Sequence, residues 1–464
     1  MNRKNAFLTG VIVLALVVLT VVATGCEKQA VTAPASADNA AQDASKPAEK
    51  VKLTYATHWI TYQINGIVEN DSQGNPVLIS KGLQQYVDEY NALNPNVEVE
   101  ILQVPYVEYA DKMNLMYDAG VAPDIYQIYS TWGVSYQKEG MLDPLPADIL
   151  ADIKANYVSS SGAVIDGELR AIPSEVNDHA MLYNKEIFKK AGIVDADGNA
   201  KPPTTWAELA DYAKKTTIKD ANGNIEQYGI AFYKGIDGYV VDPFLSLLFS
   251  NGGKFLSDDE KKCMLNNEAG VETLTAMTDL FKSGSTDFTG TLWDFGKGKV
   301  AMVIVAPWTE GNYRQALGSD FEKVVGIAPV PKMKKSASLQ YSWILGVMSS
   351  SPHKQEAWDF LRWFTSEVQP DRGTTRYGDL LARTIGAIPS RKIDLDGNKD
   401  KMGDSFFKKT FVEEIPNSVA EPNVMNSAKI KEIMRIEIEA SWAGEKTPKE
   451  ALDSACEKID QLLQ

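Results

Sequence analysis

The sequence contains few of the side chains that usually bind metal ions. Its 464 residues include three cysteines and three histidines, and no Cys-x-x-Cys pair occurs. His58, His179 and His353 lie far apart and do not have the spacing of metal ligands. A structural or catalytic zinc site needs several such ligands close together, so we expect no metal site and no cofactor.

Calcium-binding loops are also missing, although four segments look like them at first. An EF-hand loop needs a glutamate at its twelfth position, and none of the four has one. Tight turns built on Asp-Gly or Asn-Gly explain these segments better. The segments are Asp71–Asn75, Asp195–Asn199, Asp220–Asn224 and Asp394–Asn398.

Basic residues are in deficit, because 47 lysines and arginines stand against 62 acidic residues. The net charge of -15 argues against nucleic acid and anionic lipid head groups as ligands. The sequence has no Gly-x-x-x-x-Gly-Lys-Ser/Thr nucleotide loop and no Gly-x-Ser-x-Gly nucleophile elbow. We therefore expect a protein that is not an enzyme.

Two cysteines, Cys263 and Cys456, lie far apart in the part of the chain that is expected to fold. An exported protein can join such a pair, because its compartment permits disulfides. Two cysteines form no disulfide framework, however, and buried free cysteine is common. We expect both thiols to be free.

The N-terminus has the order of a secretion signal. A basic start is followed by the apolar run Ala6–Val22 and by small residues just before Cys26. The pattern resembles a bacterial lipoprotein signal, which implies that residues 1–25 are removed and that Cys26 is lipidated. The alternative is an uncleaved transmembrane anchor, since Ala6–Thr24 is about long enough to cross a ~30 Å hydrocarbon core. Both interpretations place the remaining chain outside the cytoplasm.

Residues 26–50 read as a flexible tether, because Ala, Ser, Pro, Gln, Asp and Lys dominate and no aromatic residue occurs. The chain from residue 51 onward is longer than one hydrophobic core usually holds, so two lobes are expected. Short runs of β-type residues such as Leu53–Thr57, Val97–Val104 and Asp124–Tyr129 alternate with helical patterns. This alternation predicts an α/β fold with mainly parallel sheets.

Several segments form an ordered set of patterns along the chain. They are Pro123–Tyr129, Gly140–Leu142, Ala171–Glu175, Leu182–Lys185, Pro202–Leu209, Gly298–Met302, Pro307–Trp308, Ala328–Lys332 and Ser351–Phe364. In this order they resemble the extracellular sugar-binding proteins of ABC importers. The resemblance implies two α/β lobes joined by a hinge, with a ligand cleft between them. Lobe 1 would comprise residues 51–170 and 341–385, and lobe 2 residues 171–340 and 386–464.

The same resemblance implies a function. A monomer anchored to the bacterial cell membrane by lipid would capture a sugar or oligosaccharide and deliver it to the permease subunits of an ABC transporter. Alternatives are a binding protein for a non-sugar solute such as a peptide, polyamine or metal chelate, a surface glycoside hydrolase, and an adhesive or sensory lipoprotein. The hydrolase would use paired carboxylates, which a chain with so many acids contains by chance.

Sugars present apolar C–H faces and rings of hydroxyls, which aromatic and planar polar side chains suit. This chain has Trp132 where the proteins it resembles have a charged residue. It has Asn177 where they have an acidic residue, and its own acid, Asp178, comes one position later. Trp363 lies in an amphipathic helix and is interpreted as packing. The candidate ligand-binding residues are His58, Trp59, Thr131, Trp132, Asn177, Asp178, Tyr239, Asp242, Trp308, Tyr341 and Trp343.

Overall fold

A computed structural model describes residues 50–158, 161–165 and 167–464. The predicted signal peptide, the lipidation site Cys26 and the tether up to residue 49 lie outside the described residues. Within the described ranges, no helix combines the length and the apolar character needed to cross a bilayer.

The described chain alternates strands and helices. The strands are β1 Val51–Thr57, β2 Ile67–Asn70, β3 Pro76–Ser80, β4 Val97–Gln103, β5 Ile125–Tyr129, β6 Val164–Ile165, β7 Glu168–Leu169, β8 Ile172–Pro173, β9 Glu175–Val176, β10 Ala180–Asn184, β11 Ile218–Lys219, β12 Ile225–Gln227, β13 Met302–Val305, β14 Val325–Pro329, β15 Ser338–Gln340, β16 Trp343–Val347, β17 Ile388–Pro389 and β18 Ser418–Ala420.

The helices are α1 Thr61–Asn65, α2 Leu83–Leu93, α3 Tyr106–Asp118, α4 Gly133–Lys138, α5 Ala147–Asn156, α6 Lys185–Lys190, α7 Trp206–Thr216, α8 Asp237–Ser250, α9 Glu268–Lys282, α10 Glu310–Leu317, α11 Phe321–Val324, α12 Lys354–Thr365, α13 Arg376–Leu380, α14 Lys392–Gly397, α15 Lys409–Glu414, α16 Ser427–Trp442 and α17 Pro448–Leu462. A π-helical turn, Leu381–Ile385, follows α13.

The first main sheet has the strand order β4-β1-β5-β16-β8. β1 runs parallel to β4 and β5, whereas β16 runs antiparallel to β5 and β8. Successive residues of β1 point to opposite faces, so Tyr55 packs in one apolar cluster and Ala56 in another. We call this element sheet 1.

Sheet 2 has the order β13-β10-β14, and both of its pairs are antiparallel. The prediction of mainly parallel sheets is therefore wrong for this half of the molecule. Apolar runs such as β10 and β13 show that a strand is buried but not in which direction its neighbour runs. Met181 and Leu182 of β10 enter separate apolar clusters, so both faces of sheet 2 are covered.

The chain passes from one sheet to the other through segments that pair with each other. After β8 of sheet 1, Val176 pairs with Ile388 and Asn177 with Tyr341 before β10 enters sheet 2. The Asn177 and Tyr341 backbones exchange N–H···O bonds of 2.9 and 2.8 Å. These crossing segments lie beside the cavity described below.

Cys263 and Cys456 form a disulfide, so the expectation of two free thiols is wrong. Leu256 and Cys263 pair across a short loop, and the Cys263 N–H donates to an Asp460 carboxylate oxygen over 2.6 Å. This contact holds the loop against α17. The Cα atoms of Cys263 and Cys456 lie 5.1 Å apart. Sequence separation hid the proximity, because nothing in the sequence places this loop on α17.

The calcium-like segments behave as turns in most places. Asp71, Asp195 and Asp220 each accept backbone N–H bonds from residues two and four positions later. The turn predicted at Asp394 is wrong, because this residue lies in α14 and its carboxylate accepts from the backbone and hydroxyl of Thr375. That tertiary contact overrides the local turn preference.

Candidate functional site

A cavity of about 320 Å³ lies between the ends of the two sheets. Its walls come from the loop after β1, from α3, α8 and α10, and from the segments that cross between the sheets. Most of the predicted binding residues line it. They are His58, Trp59, Asn177, Tyr239, Asp242, Trp308, Tyr341 and Trp343.

Three of the predicted residues do not line this cavity. Thr131 is buried in a turn after β5, and Trp132 packs beside it with its ring centre 5.8 Å from that of Trp343. Asp178 is fully buried next to the crossing segment. Trp132 thus contacts the lining residue Trp343 from outside the cavity.

One side of the cavity is an aromatic group carried by sheet 1 and α3. We call Tyr106, Tyr129 and Trp343, together with His58, the sheet 1 wall. Trp343 pairs with Tyr129 across β16 and β5, which brings their ring centres to 5.4 Å. His58 stacks on Trp343 with a centroid distance of 3.8 Å, and burial lowers the pKa of His58 to about 3. The wall is therefore uncharged at neutral pH.

The opposite side is formed by Tyr233, Tyr239, Trp293 and Trp308, which we call the sheet 2 wall. Trp308 follows β13 in a short helical turn that begins with Pro307, whose ring restricts the backbone at this point. The Trp308 ring centre lies 6.3 Å from those of Tyr239 and Trp293. Tyr233 stacks on Tyr239 at 5.5 Å. These rings form a continuous apolar surface.

A hydrogen bond joins the sheet 2 wall to a crossing segment. The Trp308 indole N–H donates to the Tyr341 hydroxyl over 2.8 Å. Tyr341 lies between β15 and β16, and its backbone pairs with that of Asn177, which holds it in place. The indole is thereby fixed in orientation and only partly buried, which leaves ring surface facing the cavity.

A buried charged cluster borders the cavity behind Asp242. The Lys431 ammonium of α16 lies 2.7 Å from Asp242 and 3.0 Å from Glu421. The Tyr129 hydroxyl donates to Glu421 over 2.8 Å. Burial lowers the pKa of Lys431, but the two carboxylates outweigh burial and hold this pKa above its usual value. Lys431 is therefore charged.

Glu175 is a second acid in the cavity lining. Burial raises the pKa of Glu175 to about 7, although Ser174 and Asn177 hydrogen bonds act in the opposite direction. The Ser174 hydroxyl contacts both the Glu175 carboxylate and the Tyr377 hydroxyl. Among the described residues, no group of three or more His, Cys, Asp or Glu side chains could hold a metal ion.

Sequence reasoning missed several lining residues. Glu175 and Tyr129 each lie in a segment that carries the family resemblance, but Tyr106 and Tyr129 resemble ordinary core tyrosines of a helix and a strand. No local signal distinguishes a tyrosine at the end of a core element from one inside it. The other missed side chains with aromatic or amide groups are Tyr62, Gln63, His179, Phe232, Tyr233, Trp293 and Asn312.

Asp178 provides a stability prediction. Neither of its buried carboxylate oxygens has a well-formed hydrogen bond; its own backbone N–H makes a weak contact that favours the charged form. Burial raises the pKa of Asp178 well above its ordinary value. Asp178 therefore stays protonated in the folded state at pH values where the unfolded chain has lost this proton. The contribution of Asp178 to stability should fall as the pH rises above about 4.

We expect Asp178→Asn to stabilise the fold by about 1–3 kcal/mol at pH 8 and to flatten this pH dependence. Urea unfolding between pH 4 and 8 measures both effects. Asp396→Asn, at an exposed position, should change neither. A lower stability of Asp178→Asn at pH 8 would contradict the buried, protonated carboxyl.

Comparison with known proteins identifies related chains. The family model described as bacterial extracellular solute-binding protein matches residues 75–369. The maltotriose-binding protein of Pyrococcus abyssi is 25% identical over 317 residues, which cover 66% of this chain and 62% of that protein. The sn-glycerol-3-phosphate-binding periplasmic protein of Escherichia coli is 24% identical over 421 residues, which cover 83% and 90%.

Solved structures show the same fold. An ABC transporter solute-binding protein of Thermotoga lettingae bound with α-D-tagatose superposes with a TM-score of 0.71 at 23% sequence identity. The match covers 89% of this chain and 100% of that one. The predicted two-lobe α/β fold is therefore confirmed.

Proposed function

Because the chain belongs to the family of bacterial extracellular solute-binding proteins, we propose that it captures a carbohydrate in the aromatic cavity and passes it unchanged to an ABC transporter. The observation that carries this proposal is the pair of aromatic walls facing one cavity. Aromatic rings stack on the apolar faces of sugars, while a few polar groups fix the hydroxyls. Gln63, Asn177 and Asn312 supply such groups at this cavity.

The proposed ligand contacts follow from this geometry. Trp308 and Tyr239 would stack on one sugar face, and Trp343 with Trp59 would border the other. Asn177 has a buried side-chain oxygen without a partner among the described residues, so it has an acceptor to offer a hydroxyl. The relative named for maltotriose supports a carbohydrate rather than a peptide or metal chelate.

The proposed location is the outer face of the cell membrane. The matching family is described as extracellular, and a disulfide is typical of proteins outside the cytoplasm. Lipidation of Cys26 would anchor the protein as a monomer near the permease subunits that receive the ligand. The resemblance to lipoprotein signals supports this anchor.

A screen of mono- and oligosaccharides by thermal shift tests the proposed function. A ligand present at 100 times its dissociation constant should add about 2.7 kcal/mol to stability. Chromatography after incubation should recover the bound sugar intact. Failure of every sugar to raise the melting temperature, or sustained cleavage of a glycan, would refute the proposal.

Replacing Cys26 with alanine should abolish lipid attachment, because the thiol is the group that would carry the acyl chains. Metabolic labelling with a radioactive fatty acid should mark the wild-type chain and leave Cys26→Ala unlabelled. Cys263 and Cys456 are already joined to each other and offer no free thiol. Equal labelling of the wild-type chain and of Cys26→Ala would contradict lipidation at Cys26.

The two sides of the cavity approach each other closely at Gly311, which predicts that a larger residue there weakens sugar binding. A Cβ added at Gly311 in α10 would lie 2.8 Å from the Tyr62 hydroxyl of α1, on the opposite side. Since that hydroxyl is the end of a movable side chain, we expect Gly311→Ala to weaken sugar binding by about 1 kcal/mol, or about fivefold. Calorimetric titration with the sugar found in the screen measures this loss.

Gly403→Ala is the control, because Gly403 does not line the cavity and a Cβ there would meet no atom within 4 Å. Tyr62→Phe combined with Gly311→Ala should recover part of the loss. Equal affinities of the two single alanine variants would contradict a narrow, ligand-holding cleft.

A further inference from the structure

The charge of the cavity lining is one-sided. Among the described residues that line the cavity, none is lysine or arginine, whereas Glu175 and Asp242 are acids. The lining histidines add no compensating charge, because burial lowers the pKa of His58 to about 3 and that of His179 to about 4. An anionic ligand would therefore meet no cation on the cavity surface.

Asp242 lies among the aromatic rings. It follows Tyr239 by three residues on α8, so the two side chains share a helix face. Burial is the main cause that raises the pKa values of Tyr106, Tyr129 and Tyr341. The charge of Asp242 raises them further, because this carboxylate lies near the three hydroxyls. Its second oxygen lies 3.9 Å from the neutral His179 imidazole.

Lys431 does not balance this acidic region. It is one cation between two carboxylates, those of Asp242 and Glu421, and it does not line the cavity. With both acids ionised the buried cluster carries one excess negative charge. Burial raises the pKa of each acid, while the neighbouring ammonium acts in the opposite direction. A cation entering the cavity would supply the missing positive charge.

We propose that the cavity selects a carbohydrate that carries a protonated amine and rejects carbohydrates that carry a carboxylate or phosphate. This inference rests on the proposed function and narrows its ligand class. An ammonium group is attracted to the faces of tryptophan and tyrosine, and aromatic cages with a nearby acid are suited to such cations. An anion would lose its hydration beside buried carboxylates without gaining a partner.

The test compares sugars that share one carbon skeleton. The probes are D-glucose, its 2-amino, 3-amino and 6-amino deoxy derivatives, D-glucuronate and D-glucose 6-phosphate, with sn-glycerol 3-phosphate and spermidine as non-sugar probes. Calorimetric titration of the purified full chain at pH 7 gives each dissociation constant. At least one amino sugar should bind about tenfold or more tightly than glucose, and both anionic sugars about tenfold or more weakly.

Removal of the acid should remove the selectivity. In Asp242→Asn the preference for the amino sugar over glucose should fall to about threefold or less, because the neutral amide keeps the shape without the charge. Asp279→Asn is the control, because Asp279 is an exposed acid of α9 that does not line the cavity. If Asp242→Asn does not fold, Glu421→Gln serves instead. It removes one negative charge from the same cluster at a residue that does not line the cavity.

The outcomes separate the two proposals. If glucose and an anionic derivative bind equally well, or if sn-glycerol 3-phosphate binds most tightly, the charge inference is overturned. The carbohydrate function stands in the first case. Binding of spermidine without any sugar supports the charge inference and refutes the carbohydrate function. If no uncharged or cationic probe binds, the inference is also overturned, because it requires at least one of them to bind.

Discussion

Replacing Trp308 with alanine should weaken sugar binding by about 30- to 900-fold, which corresponds to roughly 2–4 kcal/mol. The indole is partly buried in the sheet 2 wall, and its N–H bond to Tyr341 fixes its orientation before any ligand arrives. A rigid aromatic ring gives stacking energy at little entropic cost. Calorimetric titration with the sugar found in the screen measures the loss.

The alternative for Trp308 is a core role, and the same variant distinguishes the two. As a core residue, Trp308→Ala would cost about 3–5 kcal/mol of unfolding free energy and leave affinity unchanged. Trp308→Phe keeps an aromatic face but removes the bond to Tyr341, so it should retain more affinity than alanine. Trp363→Ala is the structural control. Trp363 of α12 packs in an apolar cluster and does not line the cavity, so this variant should lower stability and leave affinity unchanged.

Loss of the disulfide should have the largest effect on stability. The bond joins residues 193 positions apart, and closure of so long a loop restricts the unfolded chain strongly. The loop-entropy relation gives about 5 kcal/mol as an upper value, and measured losses for native disulfides run from about 2 to 5 kcal/mol. Cys263→Ser with Cys456→Ser should therefore lower the urea midpoint clearly.

Reducing agent provides the control for this prediction. It should lower the stability of the wild-type chain toward that of the double serine variant and leave the variant itself unchanged. Sugar affinity should change little in the variant, because neither cysteine lines the cavity. Equal stability of oxidised and reduced wild type would show that the bond contributes nothing to the folded state.

Local sequence signals predicted local structure well. The sequence Thr205-Trp-Ala-Glu208 predicts a capping box, and Thr447-Pro-Lys-Glu450 predicts a helix start; both sites form reciprocal capping-box bonds, at the starts of α7 and α17. Ser351 before Pro352 predicts a helix start at this point, which is wrong by a few residues, because α12 begins at Lys354. The Ser351 hydroxyl donates to Asp124 instead, a contact between segments far apart in sequence.

Features that depend on several distant segments were less predictable. The family resemblance led to Trp308, which ends the segment Pro307–Trp308, and to Tyr341 and Trp343, which lie where the resemblance implies a crossing between the lobes. Tyr106 and Tyr129 were missed, since their exposure to the cavity depends on how sheet 1 and α3 end relative to sheet 2. The roles of Thr131, Trp132 and Asp178 as ligand contacts stay predictions.

The paired crossing segments limit how the protein can move. Two bodies joined by a single strand of chain could twist and slide in any direction. Here Val176 is hydrogen-bonded to the strand of Ile388, and Asn177 to Tyr341, so the connections form one narrow ribbon. Such a ribbon bends readily about one line and resists rotation about the others. Any opening of the cavity about these segments would therefore use essentially one degree of freedom, and the two aromatic walls would return to the same alignment on closing.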